Sequence, residues 1–589
     1  MITKAYIYNK VKALGALLTM PLLFASCVDT IILPDNLTVD EDFWKSKDDV
    51  SQMVNGAYRS MLSENVMSRL IVWGGLRGDE FVPVEAVTGA LVEDLVEINL
   101  ANTQEDNQFA EWSGIYSVIN NCNIVLDRAE AVMAEDPSYT QGDYLADRSQ
   151  MLALRALCYF YLVRNFRDVP YITESYMNSS KERYVPQTNP DSVLTCCIND
   201  LKEAERNALS ATTFNDWKRV GYFTRDGIQA LLADIYLWRG SVEHNAADYQ
   251  ACIDYCDRVI ASKRAQHRPG RDEVVAKDYP LEDGERMFIE LFVSQNAEES
   301  IFELQMDGAS NGASALCKYF NALSASDTRH YLYAPTIFTY GGDVFTSSSS
   351  VDWRGAESTY YGNTSVSVGE STVLEIRKFV SNDYMPLTSI TTAPSAKARA
   401  FSANYAQNYP VYRLSDVMLM KAEALVAIAS GDDTDTESLQ KAFHLVNAVN
   451  KRAKTADAIS AGDTLKATTF ASSATTMENL ILAERLREFA FEGKRWYDLL
   501  RFNYRHVEGV DYKSTLYEQS ERNGWAPVAN YGPMLNLMKR KLSTKGDAVA
   551  AKIGDETKLY MPIPLRDLNI TPVLHQNPGY SSTETISKN

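Results

Sequence analysis

Apolar residues at helical spacing recur along this chain in paired segments, and this pattern constrains its fold more than any other feature. In three segments a small residue precedes a bulky one by three positions: Ala156 and Tyr159, Ala233 and Tyr236, and Ala422 and Leu425. Residues three apart share one helix face, so a second helix can approach closely over the small side chain. Small and bulky positions at this spacing also occur in the first helix of tetratricopeptide repeats.

The partner helices are predicted over residues 191–209, 248–260 and 437–452, and residues 48–62 and 109–134 supply an earlier pair. About four helix pairs are therefore expected. The repeat period of about 34 residues that is typical of tetratricopeptide proteins is not kept, so generic helix-on-helix packing remains the alternative. Both interpretations predict a mainly α fold.

Residues 264–400, between the third and fourth helix pairs, differ in composition and contain clusters of Gly, Ser and Thr. Short strands are predicted over Phe288–Phe292, Ser300–Leu304 and Val373–Phe379. We therefore expect an irregular lobe at residues 264–400 beside a helical scaffold. The scaffold is predicted over about 40–263 and 401–505, and a C-terminal tail, residues 506–589, is expected to pack on it.

The N-terminal segment has the pattern of a secretion signal. Three lysines precede an apolar run from Leu14 to Phe24, which is too short to span a bilayer. The sequence Leu-Phe-Ala-Ser-Cys that ends at Cys27 is similar to a lipobox, in which the cysteine thiol accepts a diacylglyceryl group. We expect residues 1–26 to be removed and Cys27 to anchor a single mature domain, residues 27–589, in the membrane. A plain secreted protein with a leftover cysteine is the alternative.

The acidic charge of the chain excludes some classes of partner. Removing residues 1–26 takes away three lysines and no acid, so the net charge changes from −19 to −22. A broad basic face for nucleic acid is therefore not expected.

Five further cysteines lie in helix-like apolar patterns and are predicted to be buried free thiols: Cys158, Cys196, Cys197, Cys252 and Cys256. Cys252 and Cys256 share a helix face and could bind one metal ion, but the one nearby histidine is His244. No metal site and no cofactor are predicted.

The densest charge cluster contains Glu484, Glu488 and Glu492, which are four residues apart on one predicted helix and interleaved with basic residues. A glycosidase needs two carboxyl groups that converge across a cleft, roughly 5–9 Å apart. Carboxylates along one helix with basic neighbours are instead expected to form ion pairs. The sequence also contains no motif of a serine hydrolase, a nucleotide-binding loop or a zinc protease. The chain is not predicted to be an enzyme.

Several long motifs resemble, in the right order, those of the SusD/RagB family. They are 38–44 (TVDEDFW), 54–58 (VNGAY), 155–157 (RAL), 168–170 (DVP), 299–303 (ESIFE), 352–354 (DWR), 413–424 (RLSDVMLMKAEA), 481–499 (ILAERLREFAFEGKRWYDL), 562–564 (PIP) and 576–580 (QNPGY). The resemblance covers nearly the whole mature chain.

Two positions depart from the family pattern. Arg167 stands at a helix end where family members usually have a Gly with a left-handed backbone, and Thr571-Pro572 replaces the usual Asn-Pro. A non-glycine residue at the helix end either adopts a positive φ at some cost or avoids it.

The resemblance implies a mainly α fold, in which about four tetratricopeptide-like helix pairs form a right-handed superhelical scaffold that supports a variable lobe. It also implies a lipid-anchored outer-membrane protein at the cell surface. Such proteins cap a SusC-like TonB-dependent barrel and bind its oligosaccharide or polysaccharide cargo. A RagB-like peptide-binding component, a surface glycoside hydrolase and a structural repeat scaffold remain the alternatives.

Candidate ligand-binding residues lie in two regions. Sugar rings present a flat apolar face and many hydroxyls, which aromatic rings and polar side chains can contact. Trp73 lies in a Gly-rich loop with Arg77 and Asp79, and the counterpart of this region in the family contacts glycan. A tryptophan packed under the repeat is the alternative. The irregular lobe supplies further candidates on its loops: Tyr331, Tyr333, Tyr340, Tyr360, Tyr361 and Asn363.

Overall fold

The structure is a computed structural model, in which the chain divides into two compact units, Met1–Trp44 and Lys45–Asn589. It describes residues 43–84, 89–177, 184–267, 278–306, 315–320, 329–338, 343–345, 352–355, 361–368, 371–376, 378–379, 407–431, 435–542 and 544–580. In the first unit these residues are Phe43 and Trp44, whose rings meet edge to face with centroids 5.6 Å apart. All described helices and strands lie in the second unit.

The second unit is mainly helical. Its longer helices are α1 (Lys47–Ser60), α2 (Glu64–Ile71), α3 (Ala90–Asn99), α4 (Ser113–Glu135), α5 (Gln141–Phe166), α6 (Pro190–Asn207), α7 (Arg225–Glu243), α8 (Ala246–Gln266), α9 (Leu414–Ala429), α10 (Thr436–Arg452), α11 (Ala474–Glu488), α12 (Arg495–Arg505) and α13 (Gly532–Lys539). Shorter helices span Lys218–Gly221, Gly284–Phe288, Ala315–Phe320, Ala456–Ser460, Ala467–Phe470, Leu516–Ser520, Gly546–Lys552 and Leu565–Ile570. Within the described ranges, no helix combines the length and the apolar composition needed to cross a membrane.

The four predicted helix pairs are present. Helix α1 packs on α4, α5 on α6, α7 on α8, and α9 on α10. Contacts of α4 with α5, of α6 with α7 and of α8 with α9 join the pairs into one series. Ala156, Ala233 and Ala422 are buried, as expected for the small positions over which a neighbouring helix approaches. The prediction of a mainly α fold with tetratricopeptide-like pairs is confirmed.

Local sequence determines where the scaffold helices begin. The backbone N–H of Ser46 donates to Asp49 (2.8 Å), and that of Asp49 donates to the Ser46 hydroxyl (3.3 Å). Thr140 and Asp143 form the same reciprocal pair at the start of α5. At the start of α6 the side chain of Asn189 accepts from a backbone N–H, and a proline occupies the first helical position. These caps satisfy N–H groups that would otherwise have no partner.

Helix α5 ends at Arg167, which adopts a positive φ of 66° although it is not glycine. Its buried guanidinium donates to Asp168 (2.8 Å) and to the carbonyl of Ser514 (3.1 Å). A left-handed backbone is unfavourable for a residue with a Cβ, and these contacts offset that cost. The helix therefore ends at the position where family members usually have glycine, and contacts of the Arg167 side chain stabilise the positive φ there.

The prediction of a strand over Phe288–Phe292 is wrong. The helix Gly284–Phe288 continues there into a π-helical turn, Ile289–Ser294. The buried residues of this segment are Met287, Phe288, Leu291 and Phe292. Met287 and Leu291 lie four residues apart, as do Phe288 and Phe292, which is helical spacing. A short apolar run by itself does not distinguish a helix from a strand.

The described strands are β1 (Val82–Pro83), β2 (Val169–Pro170), β3 (Gln187–Thr188), β4 (Ser300–Leu304), β5 (Leu332–Pro335), β6 (Tyr361–Val368), β7 (Ser371–Ile376) and β8 (Tyr409–Arg413). The predicted strand Ser300–Leu304 is confirmed and pairs antiparallel with β8. The predicted strand Val373–Phe379 is confirmed in part, because β7 ends at Ile376.

The described part of the C-terminal tail contacts the helical scaffold. The backbone N–H of Met561 donates to the carbonyl of Asn165 (2.7 Å), and that of Asp191 donates to the carbonyl of Tyr512 (3.1 Å). The tail thus contributes to the packing at the end of α5 and the start of α6.

Candidate functional site

Trp73 lies in a π-helical turn, Val72–Leu76, that continues α2. Its side chain is fully buried. The indole N–H donates to the carbonyl of Phe109 (2.7 Å), and the ring meets Phe166 edge to face at 5.4 Å. A ligand cannot reach this ring, so the prediction that Trp73 binds ligand is wrong. The alternative, a tryptophan packed under the repeat, describes its position.

Arg77 and Asp79 are buried as well. Arg77 donates to the carbonyls of Leu559 and Lys558 (2.6 Å each). Asp79 forms ion pairs with Arg495 and with Arg540 (2.6 Å each). Burial opposes ionisation of Asp79, but the two arginines outweigh it and hold the pKa of this carboxyl well below its usual range. The prediction that Arg77 and Asp79 bind glycan is wrong, because both side chains are buried and contact other groups of the protein.

The glycines around Trp73 serve close packing and do not form a ligand loop. A Cβ on Gly74 would lie 1.7 Å from the carbonyl oxygen of Gly493. A Cβ on Gly75 would lie 2.2 Å from a ring carbon of Phe81. Gly493 itself has a positive φ of 65° in the turn between α11 and α12. Only a residue without a side chain allows the two backbones to approach this closely.

We expect Trp73→Phe to lower stability and leave ligand affinity unchanged. The substitution keeps most of the ring but leaves the buried carbonyl of Phe109 without its N–H donor, which costs about 1–3 kcal/mol. Denaturant unfolding and ligand titration on the same sample check this expectation. Weaker binding at unchanged stability would contradict the buried position of the ring.

The four-stranded sheet β1-β5-β7-β6 brings the two predicted ligand regions together. Strand β1 follows the Trp73 segment and pairs antiparallel with β5, with Val82 opposite Tyr333. Strand β5 pairs with β7, and β7 pairs with β6, with Tyr361 opposite Ile376. The backbone segments that carry the candidates are therefore neighbours, although they are far apart in sequence.

The candidates of the irregular lobe differ in exposure. Tyr333 is fully buried, its hydroxyl accepts from the backbone N–H of His330 (2.8 Å), and its ring stacks on that histidine. The prediction that Tyr333 binds ligand is therefore wrong. Tyr331 is half-buried and packs against the buried core of the sheet, with its ring centroid 6.0 Å from that of Tyr319.

The remaining candidates lie in strand β6 or outside the described residues. Tyr361 and Asn363 lie in strand β6. Tyr340, Tyr360 and Cys27 lie outside the described residues. Tyr331, Tyr361 and Asn363 stay as the predicted ligand residues of the sheet, and we refer to them as the sheet candidates.

Among the described residues, three exposed aromatic side chains are not among the candidates that the sequence indicates. They are Tyr184, Trp217 and Tyr517, with 44%, 42% and 37% of their surface exposed. Tyr517 stacks on His575 with ring centroids 3.6 Å apart. All three lie outside the long scaffold helices. Their place outside the helical apolar pattern is the sequence signal that could have identified them as exposed.

The carboxylates of the charged helix are buried and paired. Arg354 donates to Glu484 (2.7 Å) and to Glu488 (2.9 Å), and Arg413 pairs with Glu488 and Glu492. Burial would raise the pKa of Glu484, but Arg354 and its neighbours outweigh burial and lower it to about 2. The carboxylates are ion-paired as predicted, but their main partners come from remote segments and not from the same helix, and Glu492 lies in the turn after α11 instead of on the predicted helix. These carboxylates are ionised and inaccessible, so they cannot serve as the acid and base of a substrate cleft.

Glu80 has the opposite electrostatic environment. It is also fully buried, and one of its oxygens accepts from the backbone N–H of Phe491 (2.8 Å). Burial raises the pKa of this carboxyl to about 8, because no arginine or lysine is paired with it among the described ion pairs. Glu80 is therefore largely protonated at pH 7.

The five predicted free cysteines have no disulfide partner, and four of them are buried; Cys196 is partly exposed. The sulfur atoms of Cys252 and Cys256 lie 4.0 Å apart, about twice the length of a disulfide bond. Within the described ranges, no group of three or more His, Cys, Asp or Glu side chains is placed to hold a metal ion.

Comparison with known proteins identifies the family. A family model described as "SusD family" matches residues 236–580, and one described as "Starch-binding associating with outer membrane" matches residues 33–237. The chain is 25% identical over 494 residues to SusD-like protein P38 of Formosa agariphila, which covers 81% of this chain and 88% of that protein. It is 24% identical over 265 residues to a SusD-like protein of Bacteroides ovatus, which covers 43% of this chain and 44% of that protein.

Solved structures share the fold. A SusD superfamily protein of Bacteroides thetaiotaomicron superposes with a TM-score of 0.63 at 19% identity, over 90% of this chain and 99% of that one. B. fragilis NanU superposes with a TM-score of 0.61 at 18% identity, over 94% of this chain and 100% of that one. Because the first family model spans more than half of the chain, and the helix-pair fold agrees with it, this chain belongs to the SusD family, whose members are generally glycan-binding proteins of nutrient uptake.

Proposed function

We propose that this protein is a lipid-anchored component of the cell surface that captures oligosaccharide and delivers it to a SusC-like TonB-dependent transporter. The observation that carries the proposal is the half-buried Tyr331 beside the sheet β1-β5-β7-β6, whose strand β6 holds the other sheet candidates, Tyr361 and Asn363. The family description "Starch-binding associating with outer membrane" agrees with both the ligand class and the location.

A role in binding is favoured over a glycosidase at the charged helix. Glu484, Glu488 and Glu492 have no exposed surface, and each is bound by arginine or lysine. A general acid must reach the glycosidic oxygen, and these groups cannot. Capture through aromatic rings also gives modest affinity, which suits a protein that must release its cargo to a transporter.

Ligand affinity is expected to depend on Tyr331. A stacked ring contributes about 0.5–1.5 kcal/mol beyond its buried area, so Tyr331→Ala should weaken binding by a factor of roughly 2 to 12. Calorimetry with a glycan that binds the wild type measures this change. Tyr517→Ala is the matched control, because it removes a partly exposed tyrosine outside the sheet. Equal losses in the two variants would contradict a binding site at the sheet.

The anchor is expected to depend on Cys27. Without its thiol no diacylglyceryl group can be attached, so Cys27→Ala should leave a folded protein that is released from the membrane fraction. Membrane fractionation followed by immunodetection measures this release. Cys196→Ala is the control, because it removes a different cysteine, which is partly exposed.

The same membranes test the proposed partner. Mild detergent extracts should yield the wild-type protein together with a TonB-dependent barrel. Retention of Cys27→Ala in membranes that lack the barrel would contradict the lipid anchor. Recovery of the wild type only as a free monomer would contradict delivery to a transporter.

A further inference from the structure

Three cationic side chains line one enclosed cavity: Arg77, Lys541 and Lys558. The cavity lies between the C-terminal end of α3, which contributes Ile98 and Asn99, and the end of α13. Arg77 and Lys541 are buried, with less than a tenth of their surface exposed. No carboxylate lines the cavity within the described ranges.

Within the described residues, the three cations donate hydrogen bonds only to neutral carbonyl groups. Arg77 donates to the carbonyls of Leu559 and Lys558 (2.6 Å each). The ammonium group of Lys541 donates to the carbonyl of Leu76 (2.5 Å), and that of Lys558 donates to the carbonyl of Gly579. An ammonium group has three N–H donors, so Lys541 has donors to spare.

This arrangement differs from most of the interior. Most buried arginines pair with carboxylates, as Arg354 does with Glu484 and Arg495 does with Asp79. Arg69 and Lys263 are exceptions that donate to backbone carbonyls. In the part of the chain that the structure describes, no ion pair involves Arg77, Lys541 or Lys558. Buried charges are normally paired, because an isolated ion in a protein interior is costly. The cavity therefore has an excess of positive charge.

The two acids that act on Lys541 do not neutralise its charge. Asp79 is already bound by Arg495 and Arg540, and burial keeps Glu80 largely protonated by raising its pKa to about 8. Burial also lowers the pKa of Lys541 to about 7, although both acids act to raise it. The protonated state of this lysine lacks a counterion.

The size of the cavity limits what can occupy it. Its volume is about 20 Å³, which exceeds the roughly 10–15 Å³ that one water requires. This space favours a monatomic ion over an oxyanion. Asn99 is buried and its side-chain oxygen has no partner among the described residues. Rotation of this amide by half a turn would direct its NH₂ group to an anion.

We propose that this cavity binds one chloride ion, held by the Lys541 ammonium and the Arg77 guanidinium with Lys558 nearby. The ion supplies the counter-charge that the surrounding chain lacks. It links the segment after Trp73 to the C-terminal tail, because Arg77 belongs to the first and Lys541 and Lys558 to the second. The site is separate from the proposed glycan surface.

Bromide is the direct probe, because it replaces chloride and scatters anomalously. Crystals of the full mature protein grown with sodium bromide should show one bromine peak in the cavity, next to the Lys541 nitrogen. Crystals of Lys541→Met should lack the peak. Lys539→Met is the matched control, since Lys539 lies two residues before Lys541, at the end of α13, but pairs with Asp547 (2.9 Å), and it should keep the peak. A refined water with no anomalous signal in the wild type would overturn the proposal.

Stability gives a second test that needs no crystals. Chloride replaces gluconate at fixed ionic strength, at a concentration about a hundred times the dissociation constant of chloride. For a chain of this length, this exchange should raise the Tm of the wild type by about 2 °C. The shift should vanish in Lys541→Met and in Lys541→Gln, whose amide can still donate to the carbonyl of Leu76. An equal shift in these variants and in the wild type would overturn the proposal, because the chloride would then act elsewhere.

Discussion

Replacing Gly74 by alanine is expected to destabilise this protein by about 4 kcal/mol or more, an effect at the upper end for single substitutions. The added Cβ would lie 1.7 Å from the carbonyl oxygen and 2.4 Å from the carbonyl carbon of Gly493. Both atoms belong to the backbone of the turn between α11 and α12, so no side-chain rotation can relieve the clash. The two segments would have to separate, and the indole of Trp73 would lose its enclosure.

Gly56→Ala is the matched control for this substitution. Gly56 lies inside α1, and a Cβ there would meet nothing within 4 Å. Alanine is favoured over glycine in a helix interior by about 0.5–1 kcal/mol, so the control should be slightly stabilised. Denaturant unfolding followed by circular dichroism measures both variants. A Gly74→Ala protein with the midpoint of the wild type would show that the two backbones are not in contact.

Glu488→Gln is expected to lower the free energy of unfolding by about 3–5 kcal/mol. Glu488 is fully buried and pairs with Arg354 (2.9 Å), Arg413 and Arg452. A neutral amide of the same shape leaves these arginines without a shared counter-charge, and breaking a buried ion pair from one side carries a penalty of this size. Ligand affinity of the folded fraction should not change, because the helix does not reach the surface at this residue.

Glu80→Gln makes the same chemical change at another fully buried glutamate. Because the pKa of Glu80 is raised to about 8, its carboxyl is mostly neutral at pH 7, and the amide replaces a group of similar charge. We expect a loss below about 1 kcal/mol at pH 7. Thermal and denaturant unfolding of the two variants at pH 7 give the comparison. Equal losses would contradict the assigned charge states.

The helical scaffold could be predicted because its signals are local. Helix pairs follow from apolar spacing along short segments. Buried alanines such as Ala156 repeat the same pattern at each pair. None of these inferences required knowledge of which distant segments meet.

The environment of Trp73 could not be predicted for the opposite reason. Its glycine-rich neighbourhood is typical of an exposed loop, whereas Gly74 is required by the backbone of Gly493 from a remote part of the chain. Arg167 shows the same limit. Sequence left open whether it takes a positive φ, and the answer depends on the carbonyl of Ser514 in the C-terminal tail.

The most direct test of the proposed role is to titrate the mature protein with a panel of polysaccharides, oligosaccharides and peptides, first by affinity electrophoresis and then by calorimetry. We expect at least one glycan to bind with a dissociation constant on the order of micromolar to millimolar, about 8 to 4 kcal/mol, and to be recovered intact by chromatography. Binding of peptides without any glycan, or cleavage of a bound glycan by the wild type, would contradict a glycan-capturing component of an import system.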